Sequence, residues 1–268
     1  MDLNAIETNE YVLERVKKLF QDNTEALKLG QIQKFIESVI KEQTRTMYNI
    51  TSTVFKILVA SGYSVDYIMN QLSSIPERGF TCFDFEDTDI KLKDNIDGVG
   101  QYGFSGSNIT SIDFNNAKYL RTRAFSGSQL REVTLNPQFN MIEPYVFEGC
   151  TSMTKVYVDL PVIPHGMFSE CRNLRKVELT PGMNRIGSEA FFNCRSLYTV
   201  DIPGTVETID TRAFELSGIR VVKLPLGLKV IGGQAFPRNA KVIVDHRTYE
   251  RCRFDFNQSG NRYNLEIV

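Results

Sequence analysis

The chain has 268 residues, of which 42% are hydrophobic and 24% charged. This excludes a disordered polypeptide and supplies enough length to bury a core without staples. Lysine plus arginine number 31 and aspartate plus glutamate 32, so the net charge of −1 argues against nucleic acid as a partner.

The first 75 residues are expected to form a helical domain. Val12, Leu13, Val16, Leu19 and Phe20 recur at helical spacing, and Ile32, Phe35, Ile36, Val39, Ile40 and Met47 make a second apolar stripe. Two shorter helices are predicted over Thr53–Ala60 and Val65–Leu72, with Ser64 as the N-cap of the second. Such a domain can cap the rest of the chain, tether it or self-associate. The opening segment lacks a basic region followed by an apolar one, and no apolar run approaches the roughly 18 residues of a membrane helix. No membrane partner is therefore expected, and a cytoplasmic location with reduced thiols is.

Residues 76–98 are read as an acidic connector and a degenerate first repeat. Residues 76–100 hold 3 basic and 7 acidic side chains, centred on Asp84, Glu86, Asp87 and Asp89. Phe83, 21 residues before Phe104, is expected to open the repeat array, followed by a strand at Ile90-Lys91-Leu92.

The remainder repeats with a period of about 22 residues. Phenylalanines stand at 104, 125, 147, 168, 191, 214 and 236, each preceded by a small or apolar residue. Five residues before each lies an aliphatic: Val99, Leu120, Ile142, Ile163, Ile186, Ile209 and Ile231. After each comes an apolar-x-apolar pair such as Val133 and Leu135, Val156 and Val158, or Val177 and Leu179. One unit cannot bury these columns alone. Stacked units make a continuous core and pair their short strands in parallel. Repeats are assigned to 99–240 and a C-terminal cap to 241–268, with Val242 and Val244 in the last strand and a short helix at Thr248–Cys252.

The best copy runs Ala190-Phe191-Phe192-Asn193-Cys194-Arg195-Ser196-Leu197-Tyr198-Thr199-Val200-Asp201-Ile202-Pro203 and continues through Val206 and Ile209 to Ala213-Phe214. This pattern resembles the BspA-like, or Treponema-type, leucine-rich repeats over about residues 83–255. The resemblance implies an α+β chain, with an N-terminal helical domain followed by a leucine-rich-repeat solenoid carrying a short-stranded parallel sheet. It further implies a curved solenoid that binds macromolecules. A non-enzymatic protein-protein interaction scaffold is expected, and a virus- or phage-encoded intracellular binding protein fits the same features. A surface or virion adhesin recognising a host protein or glycan is the alternative.

Residues flanking the inward strand positions face outward by the two-residue period, and these are the expected partner-binding set. They are Arg131, Glu132, Lys155, Tyr157, Arg175, Lys176, Glu178, Tyr198, Asp201, Arg220 and Lys223, which would hold a protein partner. No catalytic residue, metal or cofactor is assigned. Cys150, Cys171 and Cys194 each lie three residues after a repeat Phe and should stack in one column about 5 Å apart. Because Ser107, Ser128 and Ser217 fill that column elsewhere, it reads as small buried side chains and not as a metal site. Gly98-Val99-Gly100-Gln101-Tyr102-Gly103 matches the dinucleotide pattern but keeps the repeat's phase, so it reads as turn glycines. His246 follows Asp245 without a matched nucleophile, and His165 falls in a repeat turn.

Overall fold

The structure is a computed structural model that describes Ser52, Phe55, Lys56, Val59 and residues 64–70, 72–257 and 263–268. The two apolar stripes of residues 12–47, and the helical domain and self-association built on them, lie outside the described residues. What is described is a parallel β-solenoid of repeats with few helices.

Two families of strands run along the solenoid. The short family contributes two residues per rung: β2 (Gly98–Val99), β4 (Tyr119–Leu120), β6 (Met141–Ile142), β8 (Val162–Ile163), β10 (Arg185–Ile186), β11 (Thr208–Ile209) and β13 (Val230–Ile231). The long family is β1 (Asp89–Lys91), β3 (Ser111–Asp113), β5 (Glu132–Leu135), β7 (Lys155–Val158), β9 (Lys176–Leu179), β12 (Val221–Lys223), β14 (Lys241–Val244) and β15 (Asn264–Ile267). Equivalent residues of successive rungs are in register, as in Val133↔Val156 and Val156↔Val177. Each pairing is parallel, because every rung travels the same way round.

Between the families sits the phenylalanine turn. The Phe N–H of one rung donates to the carbonyl of the residue preceding the next rung's Phe, at 2.7–2.9 Å from Phe80 through Phe214. The rings stack at 5.1–5.5 Å with interplanar angles of 3–17°. They are essentially inaccessible to solvent. Two residues before every column Phe the backbone enters the left-handed region, from Arg78 (φ 55°) to Gln234 (φ 57°). A second left-handed residue follows two places after the Phe in the rungs from Phe80 to Phe214: Cys82, Gly106, Gly127, Gly149, Glu170, Asn193 and Leu216. Two such residues per turn bend the chain tightly enough to return it to the next strand, at a cost of about 1 kcal/mol wherever the residue has a Cβ. Gly166 (φ 59°) is needed twice over, since a Cβ there would lie 2.2 Å from the Tyr145 ring.

The N-terminal end differs from expectation. Phe80, not Phe83, opens the column, as it stacks on Phe104 and donates to Gly103 like its successors. Phe83 falls instead in the position held by Ser107 in the next rung, three residues after the column Phe. The first gap is thus 24 residues, longer than the others, so the count of 21 pointed to the wrong ring. Phe55 closes this end, its ring 4.9 Å from Phe80, while Ser52 Oγ and Lys56 Nζ donate to the Thr81 and Cys82 carbonyls at 2.7 and 2.8 Å. Helix α1 (Val65–Asn70) follows, its start capped by Ser64, whose Oγ accepts from Tyr67 N–H at 3.1 Å. The Asn95 amide donates to the carbonyls of Met69, Asn70 and Leu72 at its end.

At the C-terminal end helix α2 (His246–Asn257) is longer than the predicted turn of helix. Asp245 Oδ1 accepts from the N–H groups of Arg247 and Thr248 at 3.0 and 3.1 Å, the geometry of an N-cap. Cys252 and Phe256 are buried from α2, and Arg251 donates to the Leu226 and Leu228 carbonyls at 3.1 and 2.7 Å. The chain then adds β15 alongside β14, a strand that the sequence reading missed.

Candidate functional site

The outward positions of the long strands form three rows, because every rung has the pattern buried-out-out-buried-out-buried. In the rung of β5 these are Leu130, Arg131, Glu132, Val133, Thr134 and Leu135. The registered pairs align the rows. The first row, on the turn side, holds Thr110, Arg131, Thr154, Arg175, Tyr198 and Arg220. The middle row holds Ser111, Glu132, Lys155, Lys176, Thr199 and Val221. The third holds Asp113, Thr134, Tyr157, Glu178, Asp201 and Lys223.

All eleven sequence-selected residues fall on this face, though they do not form one cluster. Tyr157 is half-buried in the third row opposite Glu178, whereas Tyr198 is 57% exposed in the first row between Arg175 and Arg220. Glu178 is engaged within the molecule, with its Oε1 3.5 Å from Lys155 Nζ and 2.6 Å from Lys176 Nζ. The Lys176 bond, aided by Lys155, holds its carboxyl below the usual carboxylate range. Lys155, Lys176 and Glu178 are thus a self-satisfied triad at the centre of the face.

The rung that carries Tyr198 and Asp201 is not a strand. The long-strand sheet runs β5-β7-β9, stops, and resumes as β12-β14-β15. Asp159 and Thr180 donate their N–H groups to Leu135 and Val158, at 2.8 and 3.3 Å. The next two residues at that position are Pro203 and Pro225, which have no N–H. Both flanks of the Tyr198 rung therefore lose a ladder bond.

The remaining chemistry-bearing residues are structural. Cys150, Cys171 and Cys194 donate their thiols to the carbonyls of Phe125, Phe147 and Phe168 at 3.1–3.2 Å. Burial pushes the Cys150 thiol up to about 12 and the Cys171 and Cys194 thiols well above their ordinary value. They are neutral hydrogen-bond donors and not thiolate ligands. No group of three metal-ligating side chains occurs among the described residues. His165 stands between Tyr145, whose hydroxyl is 2.5 Å from Nε2, and the Ser188 carbonyl, 2.8 Å from Nδ1. A carbonyl only accepts, so Nδ1 carries the proton and the Tyr145 hydroxyl donates to Nε2. Asp245 caps a helix and His246 is exposed at its first position, which removes the acid–base reading. Gly98, Gly100 and Gly103 lie where a Cβ would strike Tyr119, the Ile75–Glu77 backbone and Val99.

Sequence reasoning missed the polar ladder on the turns. Arg123 lies 4.6 Å over the Tyr145 ring and 2.6 Å from Glu148. Arg212 bridges Glu189 and Glu215 at 2.6 and 2.5 Å. Arg121 binds Glu143 at 2.6 Å, and Arg185 binds Asp210 at 2.8 Å. Against the burial that would raise it, Glu143 is held low by bonds from Arg121 and from Thr122. Residues 20–25 apart make these pairs, so only the repeat phase could have signalled them.

The BspA type leucine rich repeat description matches residues 66–162 and 157–244, with six copies. The chain belongs to the BspA-type leucine-rich repeat family. Among solved structures, a leucine-rich repeat protein from Bacteroides ovatus is 24% identical with a TM-score of 0.54, covering 72% of this chain and 55% of its own. One from Eubacterium ventriosum is 23% identical with a TM-score of 0.53, covering 57% of this chain and 43% of its own. The chain therefore spans about half the length of these proteins, and the likeness shows the fold alone. No curated protein matches it. BspA-type repeats, like leucine-rich repeats in general, are protein-binding scaffolds that offer an extended preformed surface. No helix among the described residues is long and apolar enough to cross a membrane.

Proposed function

We propose that this chain is a non-enzymatic scaffold that binds a partner protein stoichiometrically on its long-strand face. The observation that supports the reading is the state of the first row. It presents exposed Tyr198 flanked by Arg175 and Arg220 on a rung freed from the sheet ladder, above a core that fixes its position. Tyrosine and arginine are frequent energetic anchors of interfaces. A preformed stack also spares most of the ordering cost of binding.

The test is affinity capture by the full chain against a Tyr157→Ala, Tyr198→Ala double variant. Loss of the captured protein with an unchanged melting temperature is expected. Undiminished capture would move the site off this face.

A further inference from the structure

The arginines of the solenoid divide into two populations. Arg121, Arg123, Arg172, Arg185 and Arg212 are each bonded to a carboxylate on the turns or the short-strand face. Arg131, Arg175 and Arg220 form no ion pair among the described residues, and all three are exposed in the first row. The middle row beside them adds Lys155 and Lys176, and the turn side adds Arg195, which bonds the neutral amide oxygen of Asn193 at 2.8 Å. Glu132 is the one carboxylate bordering the row between residues 131 and 220; the other acidic side chains of the face lie in the third row. A band of uncompensated positive charge thus runs along one edge of the face.

The spacing within the band is regular. Arg131, Arg175 and Arg220 recur at every second rung, with Thr154 and Tyr198 in the rungs between. At about 4.8 Å per rung the guanidinium groups are rooted roughly 10 Å apart. A β-extended ligand lying along the solenoid axis repeats a face about every 7 Å and would miss this period. A polyproline II segment has three residues per turn and a rise of about 3.1 Å, so every third side chain faces the same way at about 9 Å. Tyr198 supplies the exposed aromatic platform on which such segments dock their prolines.

We infer that the first row binds an acidic, proline-rich segment in the polyproline II conformation, with a carboxylate at every third position. The inference rests on the scaffold reading above and names its ligand class. Each carboxylate pairs with one arginine, and the intervening prolines lie over Tyr198. Single-stranded nucleic acid is disfavoured by Asp113, Glu178 and Asp201 on the same face.

The experiment is fluorescence anisotropy at about 50 mM salt, where surface charge is weakly screened. The probe is a labelled peptide of five Glu-Pro-Pro units. Controls are a peptide of the same composition with its glutamates blocked at one end, five Lys-Pro-Pro units, and an oligothymidylate. The spaced acidic peptide should bind best, and Arg131→Gln, Arg175→Gln, Arg220→Gln together should weaken it about tenfold or more without moving the melting temperature. Tyr198→Ala should weaken it by about threefold to tenfold. Equal affinity for spaced and blocked glutamates, indifference to the arginine changes, or tighter binding of the oligothymidylate would overturn the inference. Suppose instead that partner capture is lost in the Tyr157, Tyr198 double variant yet ignores both the arginine triple and excess peptide. The scaffold reading would then stand, and the acidic proline-rich ligand would fall.

Discussion

The phenylalanine column and the long-strand sheet arise from the same repeat, yet the column runs unbroken from Phe80 to Phe236 while the sheet falls into three pieces. The column needs only one ring per rung at stacking distance, and the left-handed turns around it absorb gaps of 21 to 24 residues. The sheet needs an N–H at each ladder position, and Pro203 and Pro225 withhold two in succession. Packing therefore supplies continuity along the axis. The hydrogen-bond ladder is free to lapse where the surface has other work, as at Tyr198.

The most direct way to break this contrast is to interrupt the column. Phe191→Ala removes a fully buried ring from mid-stack and should cost about 3–5 kcal/mol in chemical denaturation. A change much below that would mean the ladders carry the axis. Gly166→Ala tests the turn, since it combines a left-handed φ with a collision against Tyr145, and should cost about 1–3 kcal/mol. Gly127→Ala, with nothing nearer than 4.0 Å to its Cβ, should cost about 1 kcal/mol, so the difference isolates the Tyr145 clash.

Next in size is the thiol column. The folded protein keeps Cys150 neutral up to about 12, whereas an unfolded thiol ionises near 8.5. Between these values the unfolded state binds fewer protons, so stability present below about pH 8.5 is lost as pH rises, at about 1.4 kcal/mol per unit per thiol. Denaturation midpoints between pH 8 and 10 should fall accordingly. Cys150→Ser with Cys171→Ser and Cys194→Ser should flatten the slope, because serine does not titrate there. The smallest effect concerns Leu216, a branched residue at φ 58° and 53% exposed, where earlier rungs carry Gly106, Gly127 and Gly149. Leu216→Gly should raise stability by up to about 1 kcal/mol in the same assay.

The columns were legible because each is a residue type recurring at fixed phase, and burial depends on type. Val133, Val156 and Val177 are buried where the pattern puts them, and the residues between face out. What escaped depends on features that phase alone does not encode. Phe80 and Phe83 are both phenylalanines near the right distance, and only the longer first turn decides between them. The left-handed positions carry Arg, Tyr, Glu and Gln as well as Gly, so no glycine signature marks them. The site residues were found as a face. Their division into a satisfied triad around Glu178 and an unpaired arginine row was not, since it turns on side-chain reach between rungs.

The stacked rings also bear on what happens under load. Each rung is held by its two neighbours through one ring pair on either side and short ladders. Tension applied at the two ends should peel rungs off one at a time and not rupture the whole at once. Every released rung adds about 22 residues of slack, or roughly 75 Å of contour. A chain built this way can lengthen between two attachment points in steps while the rungs still folded keep their shape.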